Sequence, residues 1–594
     1  MSSHDDEILG KAYDARLMRR LLTYLRPYTG QVAFALAAII AGSLAQLAQP
    51  YLIKVAIDRY IRAGQLAGLD RLAALYLVIL IASFVFEYAQ TWTMQLTGQW
   101  IMFDLRMAIY GHLQKLDLAY YDRNPVGRLM TRVTSDVDVL NDLFTSGVVT
   151  IFGDVFTLVG IMGVMVWMNW RLALVAFAVL PLIVLVTQWF RGHVRESYRV
   201  VRGWNARINA FLQENITGMT TVQLFGRERL NFARFDDIDR KHRDANVESI
   251  FYYAVFYPAI EAISALASAL IIWYGGASVL SNALTLGALV AFLQYSQRFF
   301  RPISDMSEKF NVLQSAMASS ERIFTLLDEP VGVQAPERPR ERPSAARGHI
   351  VFENVWFAYK GEDFVLRDVS FEVRPGHRVG IVGATGSGKT TLMNLLLRFY
   401  DVSRGRITVD GVDIKELDLG QLRALFSLVL QDVHLFSGTI ADNIRLGNDA
   451  IDDERLREAA RAVHANRFIE QLPAGYASRV AERGSTLSVG QKQLLSFARA
   501  LAFDPSILIL DEATSSIDTE TELLIRDALR VLMAGRTTIA IAHRLSTIQD
   551  MDRILVLHKG RLRESGTHQE LLAERGIYFK LFELQYRESQ PATR

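Results

Sequence analysis

The chain has no cysteine anywhere in its 594 residues. Disulfides, thiolate catalysis and cysteine-bound zinc are therefore excluded, and the redox compartment cannot be read. It also lacks a charge bias. Sixty-five Lys and Arg against 63 Asp and Glu leave a formal charge of +2, far from the basic surface that nucleic-acid binding requires, so no nucleic-acid partner is expected. The polar, mixed-charge residues Met1 to Asp14 lack the basic, apolar and small-residue order of a cleaved signal peptide, and none is expected. Apolar residues are plentiful, at 50% of the chain. The length exceeds what one core holds, so at least two domains are expected.

The apolar residues are concentrated before about residue 330. A hydrocarbon core takes roughly 20 helical residues to cross. Six runs meet that need: Val32 to Ile53, Leu72 to Met94, Val148 to Met168, Leu172 to Phe190, Tyr253 to Tyr274 and Leu284 to Phe300. They are continuous rather than alternating, which predicts helices, the form that satisfies its own backbone in lipid. An all-α bundle of six spanning helices over residues 1–329 follows. The links after the second and fourth runs are long and charged. The latter carries Arg195, Arg199, Arg202, Arg207, Arg227, Arg229, Arg234 and Arg240, and the positive-inside rule places it, with the N-terminus, in the cytoplasm. Glu87, Asp154 and Glu261 lie inside spans, where acids usually face protein or water. Tyr257, Glu261, Ser264 and Ser268 share one helical face, as do Phe292, Tyr295 and Phe299. Such a wall suits amphipathic or cationic molecules, although an aromatic stripe in a bundle is more often packing.

Residues 330–348, with Pro336, Pro339 and Pro343 among charges, read as a linker and tether. From residue 349 to 594, strand and helix signals alternate, which predicts an α/β domain. Within it, Gly383-Ala384-Thr385-Gly386-Ser387-Gly388-Lys389-Thr390-Thr391 follows an apolar strand and opens a helix, the context a P-loop needs. Glycines let the backbone wrap so that N–H groups point at phosphate oxygens, and the helix N-terminus adds positive potential. Lys389 is placed to reach the β- and γ-phosphates, and the Thr390 hydroxyl to ligate Mg²⁺. Ile507 to Glu512 is a buried strand ending in two acids: Asp511 for the Mg²⁺ shell and Glu512 to polarise an attacking water. ATP and Mg²⁺ are the expected cofactors.

These motifs, with Leu487-Ser488-Val489-Gly490-Gln491, resemble the ATP-binding cassette transporters, and the whole chain resembles an exporter half-transporter of the multidrug and lipid type. The resemblance implies that Ser488, Gly490 and Gln491 belong to a signature that clamps ATP held by a second half-transporter chain. It implies that Tyr359 stacks on adenine and that Gln431 contacts Mg²⁺ and senses the membrane domain. Ser516-Ile517-Asp518 resembles the loop crossing the dimer, and His543 the switch histidine on the γ-phosphate. Glu482 resembles the residue that touches the coupling helices. Tyr120 to Asp138 and Gly218 to Arg227 resemble cytoplasmic coupling stretches, with the second coupling helix expected near Arg202 to Gln213.

One position departs from the family: Val489 stands where glycine is usual. With Glu512 retained, the pattern favours a heterodimer over a homodimer, this chain supplying the catalytic glutamate. The resulting expectation is a multi-pass protein of a bacterial inner membrane that exports or flips hydrophobic small molecules or lipids. The alternative is an ATPase subunit that gates or regulates a membrane partner without moving substrate. No peptide-processing domain with cysteine and histidine is expected.

Overall fold

The computed structural model describes residues 14–341, 347–511, 519–541 and 548–589. The chain forms two compact units, one of residues 1–114 with 127–329 and the other of 115–126 with 330–594.

The first unit is entirely helical among its described residues. A short amphipathic helix, α1 (Ala15–Thr23), is capped by Asp14, whose side chain accepts from Arg16 N. Long helices follow: α2 (Thr29–Val55) and α3 (Leu66–Leu113). After α4 (Leu118–Arg123), which belongs to the second unit, come α5 (Val126–Val133), α6 (Ser135–Asp142), α7 (Val149–Met168) and α8 (Trp170–Phe177). The unit closes with α9 (Leu180–Thr217), α10 (Met219–Leu224), α11 (Glu228–Leu280) and α12 (Leu286–Leu327). Helix α2 packs along α3 and α12, and α9 along α11.

Among the described residues, five helices are long and apolar enough to cross a membrane by length and composition. The sixth expected run is helical as well, within α12, but Gln294, Ser296, Gln297 and Arg298 thin its apolar stretch. A second correction concerns the second coupling helix. Arg202 to Gln213 is the interior of α9, which runs on to Thr217; after Gly218 and α10, the left-handed Gly226 precedes α11. The arginine-rich pattern simply continues the helix as far as Thr217.

Polar contacts within this unit are local answers to backbone and charge problems. Pro50 lies inside α2 and has no N–H, so the carbonyl of Gln46, four residues earlier, loses its helical donor. Arg298 supplies one instead, donating to Gln46 O at 2.7 Å and to Gln49 Oε1 at 2.7 Å. Asp58 accepts from Thr285 Oγ1 at 2.5 Å and from the Gly287 N–H at 2.8 Å, a carboxylate at the positive end of α12. Asp154, an acid inside a span that was expected to face protein or water, is ion-paired with Lys309. Phe292 and Tyr295 are fully buried and Phe299 nearly so, so that stripe is packing. Tyr257 and Glu261 are exposed on the single chain.

The second unit contains an antiparallel sheet, β1 (Ile350–Ala358), β2 (Phe364–Val373), β4 (Arg404–Val409) and β5 (Val412–Asp413), in the order β2-β1-β4-β5. It also contains a six-stranded sheet: β3 (Arg378–Val382), β6 (Phe426–Val429), β9 (Ile507–Asp511), β10 (Thr537–Ile541), β11 (Arg553–His558) and β12 (Arg561–Gly566). Its order is β12-β11-β3-β10-β9-β6, parallel except for the β11–β12 pair. A small third sheet pairs β7 (Gly438–Thr439) with β8 (Arg479–Val480).

Parallel strands covered on both faces read as unbroken apolar runs, and the period of two sorts them. Ile507, Ile509, Ile539 and Ile541 join the core that holds α13 (Lys389–Leu396) and the antiparallel sheet. Leu508, Leu510 and Ala540 join the core on the opposite face, among helices. Those helices include α15 (Ile440–Arg445), α16 (Asp453–Ala462), α18 (Val489–Ala502) and α19 (Thr519–Met533); the shorter α14 (Leu419–Arg423) and α17 (Asn466–Ile469) connect elements. The stretch expected to be a free tether is partly laid down on this unit. Arg398 donates to Gln334 O at 2.9 Å and the Arg340 N–H to Glu416 O at 2.8 Å.

Candidate functional site

The phosphate loop leaves the C-terminal end of β3, a strand flanked on both sides by parallel neighbours. Ligands of such sheets gather at the carboxyl ends of the strands. The glycines have distinct duties. Gly386 and Gly388 have φ of +80° and +104°, values that side chains strain to adopt. A Cβ on Gly383 would stand 2.3 Å from the carbonyl oxygen of Leu557, and one on Gly388 would stand 2.6 Å from Leu366 Cδ2. Larger residues at these points would push the loop off β11 and β2. Thr385, Gly386 and Thr390 are exposed at the mouth, whereas Ser387 and Thr391 are buried.

Lys389 is only 7% exposed. Its ammonium donates to Gly383 O at 2.7 Å and Ala384 O at 3.1 Å, so the amine closes the loop on itself. Burial pushes its pKa down, and the nearby Asp511 carboxylate opposes that shift. Inside the ring the Ser387 hydroxyl is buried and has no hydrogen-bond partner among the described residues. A cradle with a buried cation, an unused hydroxyl and glycines at its close approaches fits a polyphosphate.

Asp511 ends β9, in register with Ile541 at the end of β10, and Leu510 pairs with Val429 of β6. Gln431 follows that strand and is exposed. The topology thus gathers Gly383, Asp511 and Gln431 at one edge of the sheet. The donors Thr390, Gln431 and Asp511 are all hard oxygens, the chemistry that suits Mg²⁺, and no group of three or more His, Cys, Asp or Glu suited to another metal occurs among the described residues. Glu512, Ser516, Ile517, Asp518 and His543 lie outside the described residues.

Tyr359, 44% exposed, follows β1. Its ring stands edge-on to Phe357 and Tyr400, with centroids 4.8 and 5.2 Å away. Its hydroxyl shares a 3.1 Å hydrogen bond with Thr391 Oγ1. The ring is therefore anchored to the helix of the phosphate loop. Tyr400 is a neighbour that motif reading did not single out, because an aromatic after a helix carries no signal until the fold brings it to Tyr359.

The signature lies elsewhere. Ser488 caps α18 in a reciprocal box: its hydroxyl accepts from Gln491 N at 3.2 Å, and Gln491 Oε1 accepts from Ser488 N at 2.9 Å. Gly490 is buried and Val489 is 56% exposed. Helix α18 packs into the core on the sheet face opposite α13. Gln491 is thus committed to the cap, and the signature is set apart from the helix of its own phosphate loop. Glu482 is exposed ahead of it.

Comparison with known proteins agrees with this architecture. Residues 32–303 match the family model of the ABC transporter transmembrane region, and residues 366–515 that of the ABC transporter. An uncharacterized ABC transporter ATP-binding protein of Bacillus subtilis, YknV, is 40% identical over 98% of this chain and 96% of its own length. A fatty acid ABC transporter ATP-binding/permease protein of Mycobacterium bovis is 41% identical over 87% of this chain and 81% of its own. A bacterial Atm1-family ABC exporter solved with ATP bound superposes with a TM-score of 0.77 at 30% identity, covering 98% of this chain and all of that one. With a multi-pass membrane region and an ATP-binding ATPase domain matched on one polypeptide, the chain belongs to the ATP-binding cassette transporter family, as an exporter of the lipid and multidrug type.

Proposed function

We propose that the chain is one half of an exporter in which ATP, held by the phosphate loop of one half and the signature of the other, drives movement of hydrophobic or amphipathic small molecules or lipids across a bacterial inner membrane. The observation that carries this reading is the separation within one ATPase domain: Lys389 and α13 on one face of the sheet, Ser488 and α18 on the other. A clamp so placed serves a nucleotide bound by another chain. Such half-transporters work as dimers.

In this reading Lys389, Thr385, Gly386, Ser387 and Gly388 hold the phosphates, and Tyr359 and Thr391 define the base end. Thr390, Gln431 and Asp511 hold Mg²⁺, which neutralises phosphate charge when bound. Glu512 orients the attacking water, His543 serves the γ-phosphate, and closure of the two ATPase domains is transmitted to the spans. The N-terminus and ATPase domain are cytoplasmic. A lipid-like substrate is supported by the fatty acid transporter among the relatives, and Tyr257 and Glu261 are the candidate wall. The exposed Val489 supports a heterodimer, because a side chain in the clamp weakens the site it serves.

The test is reconstitution in liposomes with a fluorescent fatty-acid analogue and a cationic dye. ATP-dependent movement of either probe, lost in Glu512→Gln, is expected. ATP turnover with neither probe moved would favour a regulatory ATPase instead.

A further inference from the structure

The second unit includes one piece of chain from far outside the ATPase sequence, residues 115–126. Asp117 caps α4, accepting from Tyr120 N at 3.0 Å. Tyr120 is buried, and Ala119 packs against the core that holds α13. The segment is therefore seated by apolar contact as well as by charge. From this segment Asp122 accepts a hydrogen bond from the Tyr400 hydroxyl.

Tyr400 follows α13 and is 7% exposed. Its place is fixed from several sides. Arg398, itself buried, donates to Asp401 Oδ1 at 3.0 Å and to Gln334 O at 2.9 Å, which pins the loop on both sides of the ring. The Tyr400 ring meets Phe357 at 5.6 Å and Tyr359 at 5.2 Å, the latter at an interplanar angle of 89°. Edge-on rings at such distances attract through the positive edge and negative face, and a close-packed ring cannot shift without its neighbours shifting. The contacts form one path: Thr391 to Tyr359 by hydrogen bond, Tyr359 to Tyr400 ring to ring, Tyr400 to Asp122 by hydrogen bond. Burial and the Asp122 carboxylate both push the Tyr400 phenol up, which keeps it protonated and donating.

We propose that Tyr400 is a positioning residue that makes the seating of residues 115–126 depend on a purine stacked on Tyr359. The proposal rests on the reading that Tyr359 receives the base, and it adds the device by which that event is felt outside the nucleotide pocket. A base laid on Tyr359 fixes its ring. The edge-on contact then fixes Tyr400, and the charged hydrogen bond fixes Asp122. A nucleotide with a small, weakly stacking base fills the phosphate loop equally but leaves the path slack.

The experiment is hydrogen exchange on the full-length dimer carrying Glu512→Gln, which holds nucleotide without turnover. Saturating ATP is expected to slow exchange of residues 115–126 about tenfold, and saturating UTP by less than threefold. Adding Tyr400→Phe, which keeps the ring and removes the donor, is expected to cut the ATP effect below threefold while ATP affinity stays within about threefold. Asp122→Asn is expected to act the same way, and the pair together no more strongly than either alone. Full slowing by ATP in Tyr400→Phe, or equal slowing by UTP and ATP, would overturn the proposal. The underlying reading has its own check: Tyr359→Ala must weaken ATP more than UTP. If it does not, the assignment of the base to Tyr359 fails whatever Tyr400 does.

Discussion

Arg20 and Asp328, 308 positions apart, form a bidentate pair in which the two guanidinium nitrogens donate at 2.6 and 2.7 Å. The same guanidinium lies over the Phe324 ring at 4.3 Å, and Tyr24 stacks against that ring. Helix α1 is thereby fastened to the end of α12, with Leu21 buried beneath it.

This fastening predicts a modest, pH-dependent effect. Both groups remain substantially exposed, so solvent screens the pair, and Arg20→Ala should cost only about 0.5–1 kcal/mol. The Arg20 hydrogen bond holds the Asp328 carboxyl below its usual range. The stabilisation is thus fully present above the ordinary carboxylate pKa and is lost as pH falls through the lowered one. Thermal unfolding in detergent should show a gap between wild type and Arg20→Ala at pH 7 that closes in acid. A gap of constant size would mean that packing of α1, not charge, supplies the contact.

The partly buried pair of Asp154 and Lys309 behaves differently. Both side chains are mostly covered, at 25% and 19% exposure, inside a unit whose helices are apolar. Removing one partner leaves the other charge uncompensated, which for fully buried pairs costs about 3–5 kcal/mol; partial exposure lowers the expectation to about 1–3 kcal/mol. Asp154→Asn and Lys309→Met should each lower the unfolding midpoint, and the double variant should lie above the sum of their losses. Simple additivity would show that the two charges are solvated independently.

What could be read from sequence follows the distance over which each signal acts. The phosphate loop was legible because strand, glycines, lysine and helix lie within fifteen residues of chain, from Arg378 to Leu392. The strand β9 was likewise local, an unbroken apolar run from Ile507 to Leu510 followed directly by acids. The expected second coupling helix, Arg202 to Gln213, fell inside α9, because an arginine-rich amphipathic pattern has no punctuation before Gly218. Asp154 was visible as a charge in a span, but its partner lies 155 residues away. Tyr400 had no local mark at all, because its meaning comes from Asp122 on one side and Tyr359 on the other.

Lys389 gives a prediction that separates binding from folding. Among the described residues its ammonium hydrogen-bonds the loop's own carbonyls, contacts that a methionine does without, so Lys389→Met should fold. ATP at 100 times its dissociation constant stabilises a binding protein by about 2.7 kcal/mol. That increment should appear in wild type and vanish in Lys389→Met at the same ATP concentration, with turnover reduced at least about a hundredfold. Because burial lowers the amine's pKa, the charge on which phosphate binding depends is lost at lower pH than for an ordinary lysine. The KM for ATP should accordingly rise early on the alkaline side. A KM that is flat up to the ordinary lysine range would place the ammonium in a wetter site than the one described.

Val489 bears on whether this chain works with a copy of itself. It occupies the first position of α18, where its side chain is 56% exposed beside the Ser488 cap. Removing that side chain disturbs no core, and glycine there costs at most about 1 kcal/mol of helix propensity. If the valine's bulk is what weakens the clamp, Val489→Gly in dimers of this chain alone should raise ATP turnover severalfold, lower KM and leave the unfolding midpoint almost unchanged. The wild-type chain should reach the same turnover only beside a partner whose signature has glycine at this position. Equal turnover for Val489→Gly and wild type, both as self-dimers, would remove the basis for an asymmetric pair and make the self-dimer the working form.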